Sequence, residues 1–444
     1  MTVTNQGKNQ LRFLISGECM CDFRRSWVSF KLRTNTFSAV PSVGPTSIIK
    51  KLTIRLPSNG NQILEEIDNY ASLSAALTMV SSDAPTLDSK WSSGINLLNA
   101  CNKSSLLPRA RRFVNLNSGG FRTYNFQLNW SAILSYSQYF PLHLVHGIEV
   151  ILDLHTPQEA FHYDVANERW ANIFGAVDGL ISQAQYNALD APHKLLVRDG
   201  LMAQYGRPNC NQQDLEYQIR ECKMNLYVLY MDDSYYQRLI TKANSSEGFN
   251  LHFDTYLFNR LNNTGSDFSH VELTESFQNL KRTILLALDR NTLYDQDKHG
   301  LFTFKNAIKS IKYRIGARSF HQVDNFPGTD ADSYVSMLLA TNKLDLNDAS
   351  NTLNHDSWGK YRNINIFGFE KVMEDLHSGE DTTEGKTLRA EITLLRQNLV
   401  EIPRTDTANI PIQEAVDPAD AELWLFSQHS VLCNISSKGI ALTR

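Results

Sequence analysis

The stretch that most constrains this chain is residues 120–154, GFRTYNFQLNWSAILSYSQYFPLHLVHGIEVILDL, because it carries two strand patterns at a fixed separation. In its first part Arg122, Tyr124, Phe126, Leu128 and Trp130 alternate with Phe121, Thr123, Asn125, Gln127 and Asn129, so one face gathers most of the apolar bulk. A period of two predicts a half-buried strand over 121–130. The second part, IEVILDL, is rich in β-branched residues with Glu149 and Asp153 at odd spacing, and predicts a strand deep in a sheet with a polar end. Between the two, Pro141 restricts the backbone and Gly147 releases it, so YFPLHLVHG should be a tight connection. The stretch holds no nucleophile, metal cluster or phosphate loop, and its content is architectural.

The rest of the chain has the same grammar. Strand-like pieces fall at 11–15, 27–32 and 47–56, with Pro41, Gly44 and Pro45 punctuating the turn before the last. Asn59-Gly60 signals a turn, after which Ile63, Ile67, Tyr70, Leu73 and Leu77 recur at helical spacing and predict a helix over 61–77. Residues 80–118 are Ser- and Asn-rich and end in a basic run (Arg109, Arg111, Arg112), which reads as a solvated surface excursion. His155, Glu159 and His162 lack the spacing of paired helical metal ligands, so a surface role is expected. KMNLYVLYMDD is a strand with Met224, Leu226, Val228 and Tyr230 on one face, and Asp232-Asp233-Ser234 caps a short helix near 232–243. Strands then resume at 249–258, 269–273, 283–288, 313–319, 364–369, 388–395 and 423–433, with a helix at 332–340. Short strands between turn signals predict an all-β sandwich architecture, and the same order of elements occurs in both halves.

A chain of 444 residues is too long for one ordinary core and suits two domains of roughly 200 residues. We divide it at residues 1–230 and 231–444, with the short helix as the link. Hydrophobic residues make up 42% and charged residues 20%, enough to fold without long disordered runs. The net charge of −4 excludes a globally basic nucleic-acid binder. Cys19, Cys21, Cys101, Cys210, Cys222 and Cys433 form no repeated framework and read as free thiols of a reducing compartment; Cys19 and Cys21 share a strand face, but no second pair completes a zinc site. The polar start, MTVTNQGKNQ, and the absence of any window of about 18 apolar residues predict cytosolic synthesis and no transmembrane segment.

Four motifs in order carry a resemblance: LPSNGNQILEEIDNY; GFRTYNFQLNW with YFPLHLVHGIEVILDL; KMNLYVLYMDDSYYQRLI; and YRIGARSF followed by DSYVSMLLA. Together they resemble the double jelly-roll major capsid proteins, in the flavour of Polinton-like viruses, adintoviruses and virophages. FGFEKVMEDLHSGEDTTEGKTLRAEITL and the C-terminal WLFSQHSVLCNISSKGIAL look like the family's late strands. Two departures stand out: a single Pro327 where a proline-rich continuation is usual, and a chain short for the lineage. The resemblance implies two tandem eight-stranded jelly-roll β-sandwiches with short helices and loop insertions. It also implies a homotrimer of pseudo-hexameric outline that tiles an icosahedral DNA-virus shell beside neighbouring capsomers, penton and minor capsid proteins, with the virion capsid as its place.

Large aromatic or cationic side chains anchor interfaces, which nominates Trp91, Tyr136, Tyr139, Phe140, Trp170, Tyr235, Arg314, Arg318 and Trp358 as subunit contacts, with core burial the competing assignment for the aromatics. Arg314 and Arg318 flank Gly316, which reads as a bulge or close backbone approach, and would pair with carboxylates across a subunit boundary. Lys305, Lys309 and Lys312 extend this basic run; they would meet packaged DNA weakly if they faced the shell interior, or protect a strand edge. His143 and His146 are either acid-sensitive contacts or structural histidines. A viral attachment or carbohydrate-binding β-sandwich is the alternative function. The carboxylate pairs Glu65/Glu66, Asp232/Asp233 and Asp330/Asp332 have no histidine or nucleophile nearby in sequence, so no enzyme, cofactor or metal is expected. The sequons at Asn244 and Asn434 are expected to be unused.

Overall fold

The computed structural model describes residues 2–3, 9–34, 39–41, 45–81, 121–136, 138–163, 216–261, 268–272, 276–293, 308–320, 326–327, 331–341, 364–369, 380–383, 386–394, 420–436 and 439–443. In the first half these form β1 (Thr2–Val3), β2 (Gln10–Ile15), β3 (Met20–Thr34), β4 (Ala39–Pro41), β5 (Ile49–Leu56), β6 (Gln62–Asp68), α1 (Tyr70–Ser81) and β7 (Arg122–Phe126). There follow β8 (Phe140–Pro141), α2 (Leu142–Val145), β9 (Ile148–Leu154), α3 (Pro157–Ala160), β10 (Phe161–Tyr163) and β11 (Tyr217–Leu229). A helix, α4 (Asp233–Ala243), leads into β12 (Phe249–Leu261), β13 (Phe268–Glu272), β14 (Leu280–Asp289), β15 (Ile308–Ile315), β16 (Arg318–Phe320) and β17 (Phe326–Pro327). The chain ends with α5 (Ala331–Ala340), β18 (Ile364–Gly368), β19 (Leu388–Leu394), β20 (Ala421–Ser436) and β21 (Gly439–Thr443).

The pairing of these strands repeats. In the first half one sheet runs β1-β11-β3-β7 and the other β2-β9-β5-β6; in the second the sheets run β12-β20-β14-β18 and β13-β19-β15-β16. If the principal strands of each half are numbered one to eight in chain order, leaving out the short β4, β8, β10, β17 and β21, both halves read 1-8-3-6 and 2-7-4-5. All of these pairings are antiparallel. Two facing four-stranded sheets with this interleaved order are a jelly roll, and the chain contains two in tandem. Helices α1 and α5 occupy the same place in each, between the fifth and sixth strands.

The centre of the β12-β20-β14-β18 sheet is covered on both faces. Leu285, Ala287, Leu423 and Leu425 pack with Ile308, Ile311, Leu388 and Ile392 of the facing sheet in one core. Ile284, Leu286, Leu288, Trp424 and Phe426 belong to a second core that also holds Met337 of α5 and the apolar interior of the first half. This explains why TILLAL and LWLF lack strict alternation: a strand with no solvent face has no polar period. Helix α1 obeys the same logic. Tyr70, Ala71, Leu73, Ala75, Ala76 and Leu77 are all buried around its circumference, as expected of a helix inside a core.

Three sequence expectations are corrected. Residues 62–68 are the strand β6, and the helix begins only at Tyr70. Ile63 and Ile67 lie four apart, which mimics a helical stripe, but Ile63 is exposed and it is Leu64, Glu65 and Ile67 that turn inward. The expected strand over 121–130 stops at Phe126. Beyond it the Ala132 and Ile133 amides bond to the Glu65 carboxylate, and the chain curls into a helical turn with Ser135 N donating to Ser131 O at 2.9 Å. The segment 313–319 is a hairpin in which Gly316, at φ 58, sits in the turn between β15 and β16. A Cβ there would meet Lys386 at an ordinary 3.5 Å, so the glycine serves the turn and not a bulge or close approach.

The tight connection after β8 is present. Helix α2 ends with His146 at φ 55 and Gly147 at φ 97, and Gly147 N donates to Leu142 O at 3.2 Å. A Cβ on Gly147 would lie 2.7 Å from the Ile15 carbonyl oxygen, whereas one on Gly60 (φ 63) would meet nothing within 4 Å. Gly147→Val should therefore lower the stability by at least about 2 kcal/mol, combining backbone strain with a clash, while Gly60→Ala should cost only about 1 kcal/mol. Denaturation midpoints of the two variants check this; equal small shifts would contradict the close approach.

Candidate assembly surfaces and the junction between halves

Sequence positions 65, 131–133 and 255 meet at one buried point. Glu65, 1% exposed on β6, accepts through Oε2 from Ser131 Oγ at 2.5 Å and Ile133 N at 3.3 Å. Through Oε1 it accepts from Ala132 N at 2.7 Å and from Thr255 Oγ1 on β12 at 3.0 Å. Burial pushes the Glu65 carboxyl above its ordinary value and the four donors work against that rise. A buried carboxylate is costly unless its lone pairs are filled, and here donors from both jelly rolls fill them. Its sequence neighbour Glu66 points the other way, to Lys51 Nζ at 2.6 Å. The pair is thus a structural clamp beside a surface ion pair, with no shared substrate position.

Other polar links join strands within the β12-β20-β14-β18 sheet, and one reaches the helix that packs on it. Arg282 of β14 bonds to Gln428 on β20, to Tyr256 Oη on β12 at 3.3 Å and to the Ala340 carbonyl at the end of α5 at 3.0 Å. Glu422, 2% exposed, accepts from Arg260 at 2.6 Å and from Trp424 Nε1 at 2.7 Å. Lys281 reaches Asp254 at 2.7 Å.

The expected surface role of the 155–162 cluster is corrected for two of its members: His155 is 2% exposed and Glu159 is also sheltered. His155 Nδ1 lies 3.1 Å from Glu159, Lys50 Nζ lies 3.3 Å from it, and the Thr156 amide donates to it at 2.9 Å, closing the start of α3. Burial opposes ionisation of Glu159, but the hydrogen bond and charge from His155, the Thr156 amide and Lys50 outweigh it and hold the carboxyl at about 2. The His162 side chain lies outside the described residues, and among those described no group of three or more His, Cys, Asp or Glu side chains could hold a metal ion.

The nominated contact residues separate by environment. Tyr139 and Tyr235 are 40% and 39% exposed, so their rings are available to a neighbour. Tyr136 is half-buried against the main core. Phe140 is corrected to a core residue: it is 2% exposed, with its ring 5.6 Å from Phe23, and has no surface to offer. Arg314 lies 3.4 Å from Glu391 and Arg318 2.9 Å from Glu380, both partners within the same chain. Lys312 lies on β15 opposite Glu391 of β19, between the stretches paired with β17 and β16, whereas Lys309 falls at the break in the β15–β19 register and is paired with neither β16 nor β17. Trp91, Trp170, Trp358, Lys305 and the 80–118 excursion, apart from its first two residues, lie outside the described residues.

A cleft of about 480 Å³ opens where the halves meet, lined by Asn59, His143, His146, Ile240, Asn244 and Ile440 among others. His143 stacks edge-on to Tyr236 of α4 at 4.8 Å, and burial lowers its pKa. The contact ties the helix between the jelly rolls to the first of them. Sequence reading missed this cleft and the role of Glu65, because their members are scattered over hundreds of residues.

No known family pattern and no curated protein matches the sequence. Solved structures do. The crystal structure of PBCV-1 VP54 fitted into a reconstruction of the virophage Sputnik aligns at 8% identity and a TM-score of 0.53, over 100% of this chain and 96% of that one. The quasi-atomic PBCV-1 virus capsid aligns at 11% identity and a TM-score of 0.52, over 100% and 95%. The Faustovirus major capsid protein aligns at 8% identity and a TM-score of 0.51, over 98% and 90%. The likeness is one of fold, and that fold is the double jelly roll of major capsid proteins.

Two outcomes test the junction. Glu65→Leu leaves four buried donors unfilled and should cost at least about 3 kcal/mol, whereas Thr255→Val removes one bond between the halves and should cost about 1 kcal/mol. Equilibrium unfolding of both variants checks the ranking, and a neutral Glu65→Leu would refute the clamp. For Glu159, the depressed pKa means its contribution is intact above the ordinary 4.5 and is lost as pH falls towards about 2. That contribution is about 3 kcal/mol, and it should vanish from the acid limb of the stability–pH curve in Glu159→Gln.

Proposed function

We propose that the protein is a major capsid protein, a building block of an icosahedral DNA-virus shell and not an enzyme. The observation that carries this reading is the repetition of one eight-strand order in both halves of a chain that aligns end to end with capsid structures. Two similar lobes per chain, residues 1–230 and 231–444 with α4 as their link, give six lobes when three chains meet. A homotrimer of this kind has a pseudo-hexameric outline and packs in flat arrays with neighbouring capsomers, closed by penton and minor capsid proteins. Such a subunit needs firm lobes and broad side faces more than a reactive pocket. The core shared by the two jelly rolls, with the Glu65 clamp inside it, supplies the firmness. Tyr139 and Tyr235 supply exposed aromatic anchors, with Trp91, Trp170 and Trp358 as further candidates.

The basic residues Lys309 and Lys312, with Lys305, would give packaged DNA only a weak, salt-sensitive contact, because Glu391 lies directly opposite Lys312 in the sheet. Synthesis in the host cytosol and residence in the virion complete the reading.

Light scattering on a sizing column, with electron microscopy of the peak, tests it. The expected result is a particle of three times the 50.4 kDa chain with a hexagonal outline. A monomer that persists on concentration would sink the trimer, and low copy number in purified particles would favour an attachment protein instead.

A further inference from the structure

The outer face of the β1-β11-β3-β7 sheet differs in kind from its counterpart in the second jelly roll. On that counterpart Ile284, Leu286, Trp424 and Phe426 turn outward and are buried, in a core that also holds Met337 of α5. In the first jelly roll Val28, Phe30 and Leu32 of β3 turn inward and are buried. The residues between them turn outward, where the register sets Lys31 beside Arg220, Ser29 beside Lys223 and Trp27 beside Asn225. This face is open, basic at one end and aromatic at the other.

At the basic end the Arg33 and Arg220 guanidiniums converge on the Phe121 ring, at 4.9 and 4.5 Å from its centroid, and Arg33 is steadied by Gln218 at 3.0 Å. Two like charges therefore sit within about 10 Å of each other, one Debye length at 0.1 M salt. Among the described residues Glu221 is taken by Lys31 at 2.6 Å and Asp22 by Arg25 at 3.4 Å, while Arg33, Arg220 and Lys223 form no salt bridge. The cations thus outnumber the carboxylates on a chain whose net charge is −4. At the other end Trp27 is 43% and Tyr227 45% exposed, with the Arg25 guanidinium 5.3 Å from the Tyr227 ring centroid. From Arg33 to Trp27 the face runs about 20 Å along β3. A simple anion has no use for two exposed rings, and an apolar partner has none for three unpaired cations.

We propose that this face binds a single strand of nucleic acid, with phosphates on Arg33, Arg220 and Lys223 and bases on Trp27 and Tyr227. A single strand is the partner that offers regularly spaced anions and flat apolar surfaces together, because its bases are free to leave one another and stack on a ring. A duplex keeps its base faces stacked inside and would leave both aromatic side chains unused. An acidic protein segment would answer the cations but not the rings. Between the two ends Asn125 and Asn225 offer amides that both donate to and accept from base edges. The proposal goes beyond the shell-subunit reading and does not depend on it.

Fluorescence anisotropy of a labelled oligothymidylate of about 20 nucleotides, titrated with the full chain at several salt concentrations, tests it. With three unpaired cations neutralised, log affinity against log salt should fall with a slope of about −2. Arg220→Ala should flatten that slope by about 0.7, whereas Tyr227→Ala should keep the slope and weaken binding at least about fivefold. Both side chains are exposed, and unchanged melting curves verify that the variants fold; if Tyr227→Ala melts early, Trp27→Ala supplies the same reading. No binding at low salt, a duplex of the same length binding as tightly, or full affinity in Tyr227→Ala would each overturn the proposal, the last leaving an ionic patch only. Loss of self-association in Arg220→Ala without any oligonucleotide binding would also overturn it and assign the face to a contact between copies. Light scattering of the same samples separates the two readings: a trimer that does not bind sinks this proposal alone, and a monomer that binds upholds it while removing the trimer.

Discussion

The centre of one sheet, β14 and the first half of β20 in β12-β20-β14-β18, has no solvent face, and the rest of the molecule depends on that. Its inner side closes the second jelly roll and its outer side completes a core begun by the first, so the two lobes share hydrophobic interior and are not beads on a linker. Burying both faces of a sheet removes its apolar surface from water twice over, the largest favourable term available to a β protein. Within that dry layer a lone ionisable group would be a serious cost. Glu65 is tolerated because a hydroxyl and two amides from residues 131–133 and a hydroxyl from Thr255 surround it, the last of these reaching across from the second half.

Rigidity inside the lobes contrasts with what they leave outside. Phe140, Tyr124, Tyr217 and Tyr313 are consumed by packing, whereas Tyr139, Tyr227, Tyr230 and Tyr235 stay exposed. A monomer gains nothing from exposed aromatic rings, but a subunit that must find several neighbours does. The network around Arg282 joins β14 to β12, β20 and α5, and the clamp at Glu65 joins β6 to β12, so polar bonds reinforce the packing of the interior. This division between a locked interior and exposed aromatic rings is what the proposed building-block function would require.

The sequence by itself determined the strands whose two faces differ. Ile148–Leu154 was legible because a β-branched run marks a strand deep in a sheet, Leu388–Leu394 because alternation reports on a half-buried strand, and Ala331–Ala340 because its apolar spacing is helical. Gly147 was legible too, since a glycine after a short apolar turn points to a backbone that only glycine accepts. The tandem sandwich architecture followed from the order of such elements in the two halves.

Only the tertiary structure decided the rest, and each time because the decisive partner lies far along the chain. Residues 127–130 alternate like a strand but leave the sheet, since the amides of Ala132 and Ile133 just beyond are claimed by Glu65, more than sixty residues earlier. Residues 62–68 carry a helix-like pair of isoleucines but extend, since β5 offers them a ladder. For Phe140 the sequence leaves subunit contact and core burial both open, and packing on Phe23 decides for the core. Periodicity encodes how a segment meets water, whereas the competition for backbone donors and sheet edges is settled between segments, after the chain has folded.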